Sequence, residues 1–172
     1  MVLKLEQNIE PLDLIAEHEG YFRGIGLNNS DQQFVGELTI KKIVSGIGVT
    51  LDYKAIGIEG EEYQKFNTLF SKHQILFNEE HTLVSYDSEN KLCMWSLNLN
   101  IGTTVVFEFR RMKEVGEKMV LIFGFGDYKD NEMFREEISL EFWQNGDVSY
   151  NYAWGESGGV FLARSACRMS RH

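Results

Sequence analysis

Four arginines and two tyrosines in the C-terminal half are the residues whose types and spacing could hold a ligand. All six lie in segments of strand-like composition, and they are Arg110, Arg135, Tyr150, Tyr152, Arg164 and Arg168. A buried arginine is costly unless a carboxylate or an anionic ligand neutralises it. We therefore take these six as the candidate ligand-binding residues. They would bind the acidic head group of a ligand. The alternative is that the arginines face water opposite glutamates such as Glu108, Glu137 and Glu141.

Histidine, cysteine and glycine patterns indicate no metal or nucleotide site. His18 lies between Glu17 and Glu19, which is more typical of a solvated helix end than of an acid/base group. The four histidines form no H-x-H or H-E-x-x-H spacing, and the cysteines form no C-x-x-C. The glycine pairs at 24–26 and 124–126 do not sit between a buried strand and a capped helix, so they are not phosphate loops. We assign no catalytic residue, metal ligand or cofactor from the sequence.

Charge and hydropathy limit the partners and the compartment. The formal net charge of −9 disfavours nucleic acid and anionic membrane surfaces as partners, because both are bound mainly by clustered lysine and arginine. No apolar stretch is long enough for a membrane span, and the first residues lack the apolar run of a secretory signal. We therefore expect a cytoplasmic protein in which Cys93 and Cys167 are free thiols, and a homo-oligomer is compatible with these features.

Local patterns predict one short helix followed by many short strands. Pro11 suits a first helical position, and Leu12, Ile15 and Ala16 share one face of a helix that ends near Gly20. Aromatic and β-branched stretches broken by Gly, Asn and Asp follow. They predict strands at residues 20–27, 34–43, 48–58, 66–77, 82–86, 92–97, 104–110, 118–125, 135–143, 148–152 and 160–169. Asn145-Gly146 predicts a type I′ hairpin turn, which needs positive φ at both positions.

Alternation within the later strands predicts a closed sheet. Val105, Phe107 and Phe109 fall on one face, and the same spacing groups Val148, Tyr150, Tyr152 and Trp154. About ten short strands with almost no helix between them must close or form a sandwich to avoid exposed edges. The chain of 172 residues, 43% of them hydrophobic, can bury one core. We predict one all-β domain over residues 1–172: a roughly ten-stranded antiparallel up-and-down barrel with a short N-terminal helix.

A family resemblance supports this fold. The order Pro11-Leu12, Leu14-Ile15, then Gly20, Phe22, Gly24 and Gly26 resembles the opening of the calycin-like barrels related to nitrobindin and to fatty-acid-binding proteins. In those barrels a short helix precedes a Gly-x-Trp-x-Gly-x-Gly strand, and Phe22 stands here in place of the tryptophan. The resemblance implies a last strand after Gly158-Gly159 that closes the barrel. It also implies that Arg and Tyr hold a ligand's head group, as in fatty-acid-binding proteins.

The resemblance does not extend to haem. Haem-binding members of the nitrobindin group carry an axial histidine at the start of the last strand, where this chain reads Gly158-Gly159-Val160-Phe161-Leu162. Histidine is the main protein ligand in such a site. We therefore expect no haem and no nitric oxide chemistry.

Three functions are compatible with these features. The first is non-enzymatic binding of a small apolar or amphipathic ligand between aromatic walls with an Arg–Tyr anchor. The second, implied by other calycin-like barrels, is a lyase or isomerase acting on a small organic acid through Arg110, Tyr150 and Glu108. The third is a filled barrel whose surface interacts with other proteins. Interior charge would separate the first two from the third, and a convergent acid/base pair would favour the second.

Overall fold

Ten antiparallel strands, each paired with its neighbour in sequence, close into a barrel because the first strand also pairs with the last. The computed structural model describes residues 9–57, 75–99 and 102–172. The elements in these residues are the helix α1 (Pro11–Glu17) and the strands β1 (Gly20–Asn28), β2 (Gln33–Ile43), β3 (Gly48–Gly57), β4 (Ile75–Tyr86), β5 (Leu92–Asn98), β6 (Thr103–Val115), β7 (Lys118–Phe125), β8 (Arg135–Trp143), β9 (Val148–Gly155) and β10 (Leu162–Arg171). A 3-10 turn, Val44–Gly46, joins β2 to β3.

The predicted all-β barrel with one short N-terminal helix is confirmed, whereas several local predictions were wrong. The strands β6 and β9 end at Val115 and Gly155, five and three residues later than predicted. The predicted strand at 82–86 is the second half of β4, which runs unbroken from Ile75 because the polar residues 78–81 pair along β3 despite interrupting the apolar pattern. Residues 66–74 of the predicted strand at 66–77 lie outside the described residues. The last strand begins at Leu162, two residues later than predicted.

A further error concerns the turn between β8 and β9. The Gly146 amide donates to the Trp143 carbonyl, and the Trp143 amide donates to the Asp147 carbonyl. Gly146 has a φ of 87°, whereas Asn145 is absent from the residues with positive φ. The hairpin therefore has a three-residue loop with glycine in the left-handed position, and not a type I′ turn.

The helix closes one end of the barrel with apolar side chains. Leu12, Leu14 and Ile15 of α1 are buried in the same cluster as Phe22 of β1, and α1 contacts β2 and β3. The predicted inner face of β6 is confirmed by Val105 and Phe107, which are buried. Cys93 and Cys167 are free and buried. Within the described part of the chain, no helix has the length and apolarity that crossing a membrane requires.

Close backbone contact explains one of the glycines in the N-terminal pattern. Gly24 pairs with Met169 of β10 on one side and with Gly36 of β2 on the other. A Cβ at position 24 would lie 2.0 Å from the Arg168 carbonyl oxygen and 2.8 Å from the Met169 Cα. Both atoms are backbone, so a side chain could be accommodated only by separating β1 from the closing strand.

We predict that Gly24→Ala destabilises the fold by at least about 2 kcal/mol, because inserting an atom into a tightly packed region forces backbone shifts. Urea unfolding followed by circular dichroism measures the change. Gly48→Ala is the matched control, since the new Cβ there would lie 3.4 Å from its nearest neighbours. Equal stability of the two variants would contradict this explanation of the β1 glycine.

Candidate functional site

A cluster of polar side chains occupies the barrel interior on the side away from α1. Its centre is Glu80 of β4, which is 2% exposed. The Tyr150 hydroxyl donates a hydrogen bond to Glu80 Oε2, and the side-chain amide of Asn98 donates to Oε1. Asn78 Nδ2 donates to the same oxygen at 2.8 Å. With Tyr53 and Glu136, these residues form what we call the interior polar cluster.

Strand register brings the cluster together from both sides of the barrel. Glu80 lies opposite Tyr53 on β3 and opposite Asn98 on β5. Tyr150 reaches it from β9, and its ring stacks on that of Tyr53 with the centroids 4.2 Å apart and the planes inclined by 14°. These contacts span the barrel: Glu80 accepts hydrogen bonds from β5 and β9, and from Asn78 on its own strand.

Two buried polar atoms of the cluster are left unsatisfied. Glu136 Oε2 and the Tyr53 hydroxyl have no hydrogen-bond partner among the described residues, although both side chains belong to residues no more than 3% exposed. Buried polar groups nearly always have partners. Glu136 is in phase with the buried inner residues Ile138 and Leu140 of β8 and lies opposite Trp154 of β9. Both atoms are shielded from solvent, so the cluster bears their desolvation cost within the fold.

Burial controls the protonation of the cluster. Loss of solvent, with a smaller contribution from the charge of Glu80, raises the pKa of Glu136 to about 8. Burial also raises the pKa of Glu80, while hydrogen bonds from Tyr150, Asn78 and Asn98 oppose that rise. The pKa values of Tyr53 and Tyr150 are raised well above 10 by burial, with the Glu80 charge adding to both. The tyrosines are therefore neutral, and Glu136 exchanges its proton near neutral pH.

A cavity of about 150 Å³ adjoins the cluster at the end opposite α1. Its walls include five aromatic rings, those of Phe34, Tyr53, Phe77, Tyr152 and Trp154, together with Ala55, Asn78 and Arg164. An apolar cavity of this volume in another protein accommodates benzene. The space therefore fits a molecule with about one aromatic ring. No group of three His, Cys, Asp or Glu side chains within the described ranges could hold a metal ion.

Three of the six predicted site residues meet in this region. Tyr150 belongs to the interior polar cluster, and Tyr152 and Arg164 line the cavity. The Arg164 guanidinium carbon lies 3.8 Å from the centroid of the Trp154 ring, and Arg164 Nε donates to the Trp154 carbonyl at 3.3 Å. The positive charge of Arg164 is thus fixed at the cavity wall.

Arg110 and Arg168 lie outside the barrel. Arg110 is exposed, with Nη1 3.1 Å from Glu108 Oε2 and Nη2 donating to the Gly126 carbonyl. Arg168 Nε donates to Asp147 Oδ2 at 2.8 Å, and its guanidinium covers the Trp143 ring. Since Glu108 is exposed as well, Arg110, Glu108 and Tyr150 are not brought together. For both arginines the water-facing alternative describes the structure.

Arg135 is buried, at 1% exposure, but among loop carbonyls. Its guanidinium joins the β7–β8 and β9–β10 connections through five hydrogen bonds, to the carbonyl oxygens of Tyr128, Met133, Glu156 and Gly159 and to Asn131 Oδ1. Backbone carbonyl oxygens therefore satisfy the buried guanidinium, for which the sequence predicted a carboxylate or an anionic ligand.

The carboxylates at the centre of the site were not among the predicted residues. Glu136 carried a usable signal, because it repeats in phase with Ile138, Leu140 and Phe142 on an otherwise apolar face. No such indication was present for Glu80, because it lies in the polar run 78–81. Only the pairing of β4 with β3 and β5 shows that its side chain points into the barrel.

Comparison with known proteins supports the fold. No family model matches the sequence, and no curated protein matches it. The crystal structure of Rv2717c from M. tuberculosis superposes with a TM-score of 0.67 at 11% sequence identity, covering 96% of this chain and 99% of that one. At this identity the match shows the fold alone, and the chain has a calycin-like β-barrel fold similar to that of Rv2717c.

We predict that Arg135→Ala costs at least about 3 kcal/mol of unfolding free energy, because it leaves several buried carbonyls without donors. Arg111→Ala, at an exposed position of β6, is the control and should change stability by less than about 0.5 kcal/mol. Urea unfolding of both variants tests this. A small effect for Arg135→Ala would show that the loops do not depend on the guanidinium.

We predict that stability falls as pH rises from about 5 to about 8, through the titration of Glu136. Its pKa is 4.5 in an unperturbed chain and about 8 in the folded protein, so the folded state binds more protons in this interval and loses stability as they dissociate. Glu136→Gln should flatten the dependence. Unfolding free energies at several pH values measure it, with Glu114→Gln on the exposed side of β6 as control. An unchanged slope in Glu136→Gln would contradict the assignment.

Proposed function

We propose that the barrel binds a small amphipathic molecule, with an apolar part of about one aromatic ring, in the cavity opposite α1. The observation that carries this proposal is the wall of the cavity, which combines five aromatic rings with the polar side chains of Asn28, Asn78, Arg164 and Ser165. Ligand sites are typically apolar spaces with a few polar groups that fix orientation. Asn78 and Arg164 provide such groups here.

The walls supply most of the affinity. Rings from β2, β3, β4 and β9 surround the cavity, and offset or edge contacts with a ligand ring add to the gain from burying apolar surface. A ligand of about 8 heavy atoms at roughly 0.5 to 0.8 kcal/mol per atom binds with Kd between about 1 mM and about 20 μM. Polar contacts with Asn78 or Arg164 would strengthen it.

Binding without turnover is the primary proposal, and one observation favours a lyase or isomerase as the second. Glu136 is buried opposite Trp154, a residue of the cavity wall, and its pKa of about 8 suits a general acid or base at neutral pH. The reacting residues would then be Glu136 with Tyr150 or Tyr53. Conversion of a small organic acid that is lost in Glu136→Gln would establish this second function.

We predict saturable binding of benzyl alcohol, a neutral molecule of the right size, measured by isothermal titration calorimetry. Ala55→Leu should weaken binding at least about tenfold, since the larger side chain fills the space that Ala55 borders. Ala166→Leu makes the same change at an exposed position of β10 and should bind like the wild type.

Circular dichroism establishes that both variants are folded before the titration. The proposal fails if the wild type shows no saturable binding, or if Ala55→Leu binds as well as Ala166→Leu.

A further inference from the structure

Two connections at the end of the barrel opposite α1 carry large apolar side chains that face solvent. They are residues 126–134, between β7 and β8, and residues 156–161, between β9 and β10. On them and on the adjoining strand ends, the following side chains are between 38% and 69% exposed: Phe125, Tyr128, Met133, Phe134, Val160 and Leu162. We call these residues the apolar platform. Apolar patches with polar rims on soluble proteins typically mark interaction sites.

Ring contacts link the exposed side chains to one another. The centroid of the Phe134 ring lies 6.3 Å from that of Phe125 and 6.3 Å from that of Trp154. Tyr128 and Phe161 meet across the two connections, with their ring centroids 6.5 Å apart. The exposed apolar residues are therefore neighbours, and not scattered single residues of the kind that need no explanation.

Arg135 holds the backbone beneath the platform. Its guanidinium donates to the carbonyl oxygens of Tyr128 and Met133, both platform residues, and to that of Gly159 in the other connection. Two further hydrogen bonds of 2.7 Å join the same connections, from the Gly158 amide to the Asn131 carbonyl and from Ser157 Oγ to the Glu132 carbonyl. Because these bonds order the surface before a partner arrives, binding there costs less conformational entropy.

The rim of the platform is acidic. The two connections carry one exposed lysine, Lys129, and four exposed acids, Asp127, Asp130, Glu132 and Glu156. None of these acids forms a salt bridge with another of the described residues. Among the nearby arginines, Arg110 is paired with Glu108 and Arg135 is buried, while Arg164 covers the Trp154 ring. A partner that covers the apolar side chains therefore meets negative charge at their edge, and that charge attracts lysine and arginine.

We propose that the apolar platform docks a short segment of another protein in which apolar side chains are flanked by lysine or arginine. This inference goes beyond ligand binding in the cavity and does not rest on it. The apolar side chains of such a segment gain affinity by burial against aromatic and methionine residues, which are typical of interface centres. The acidic rim and the net charge of −9 attract and orient its basic flanks.

The same charges disfavour a second copy of this chain as the occupant. A symmetric dimer brings the same patch of both copies together, so the acidic rim of one copy would lie against that of the other. Like charges placed in this way cost free energy. An anionic membrane surface is disfavoured for the same reason, because it attracts basic and not acidic segments.

Random dodecapeptides displayed on phage and selected on the full-length protein test the proposal. We expect the enriched peptides to combine apolar side chains with an excess of lysine and arginine. Enriched peptides are then synthesised and titrated by fluorescence anisotropy against the wild type and four double variants. Circular dichroism establishes that every variant is folded.

The first two double variants test the apolar contact. Met133→Ser combined with Val160→Ser truncates the two most exposed platform side chains and should weaken peptide binding at least about tenfold. Val44→Ser combined with Ile47→Ser is the matched control, because these apolar residues are as exposed but lie at the turn between β2 and β3, near α1. This control should bind like the wild type.

The other two double variants test the charge. Glu132→Gln combined with Glu156→Gln should weaken binding about twofold to tenfold at low salt, as expected for two exposed ion pairs, and should reduce the salt dependence. Glu114→Gln combined with Glu117→Gln changes the net charge equally at exposed positions near the turn between β6 and β7. It should have the smaller effect, because those residues lie at the other end of the barrel.

Four results would overturn the proposal. Failure to enrich any peptide would reject docking of a protein segment, and enrichment without basic residues would reject the basic partner. Equal binding by the platform variant and its Val44 and Ile47 control would place the site elsewhere. Self-association in sedimentation velocity, or binding to phosphatidylcholine vesicles, that is lost in Met133→Ser with Val160→Ser would make the occupant a second copy or a membrane surface. Binding of benzyl alcohol is measured separately, so none of these results decides the proposed function of the cavity.

Discussion

Pairing of β1 with β10 leaves the ten strands without a free edge and assigns every second residue to the interior. A side chain in the inward register cannot turn to solvent without breaking the ladder on both sides. Glu80 and Glu136 occupy that register, so closure of the sheet is what deprives them of water and shifts their pKa values. The close approach of β1 to β10 at Gly24 is a condition of that closure.

The barrel interior has an apolar half near α1 and a polar half at the opposite end. Near α1 the inward residues are apolar and fully buried, with Ile15, Phe22 and Val148 at 0% exposure. Farther from α1 the same strands carry tyrosines, amides and two carboxyls. An unsatisfied buried acid lowers stability, and strain or desolvation at a site must be offset elsewhere in the fold. The apolar half provides that offset, which allows the other half to hold groups that an ordinary core excludes.

Strand composition was sufficient to predict the barrel, because turn residues and β-branched stretches are local signals. It was insufficient for β4, where the polar residues 78–81 continue the strand, and this segment contains Glu80. Arg164 and Tyr152 were predicted as ligand-binding residues and line the cavity, whereas Arg110 and Arg168 lie outside. Whether an arginine faces inward or outward depends on its position in the pleat of the strand, and near Arg164 also on the irregular register between Ala163 and Ser165. The identity of the residue as arginine predicts neither. Glu136 could have been found by phase on β8.

Burial of a charge alone did not distinguish a structural residue from a site residue in this protein. Arg135 is as buried as any charged side chain in the described residues, yet five acceptors satisfy its guanidinium, and these acceptors belong to the loops that it joins. Glu136 is nearly as buried, and one of its carboxyl oxygens has no donor among the described residues. A satisfied buried ion accounts for its own cost through the structure that it orders. A carboxyl group without a partner does not, and in this barrel its cost is offset by the apolar residues packed near α1 while its raised pKa keeps it protonated at neutral pH.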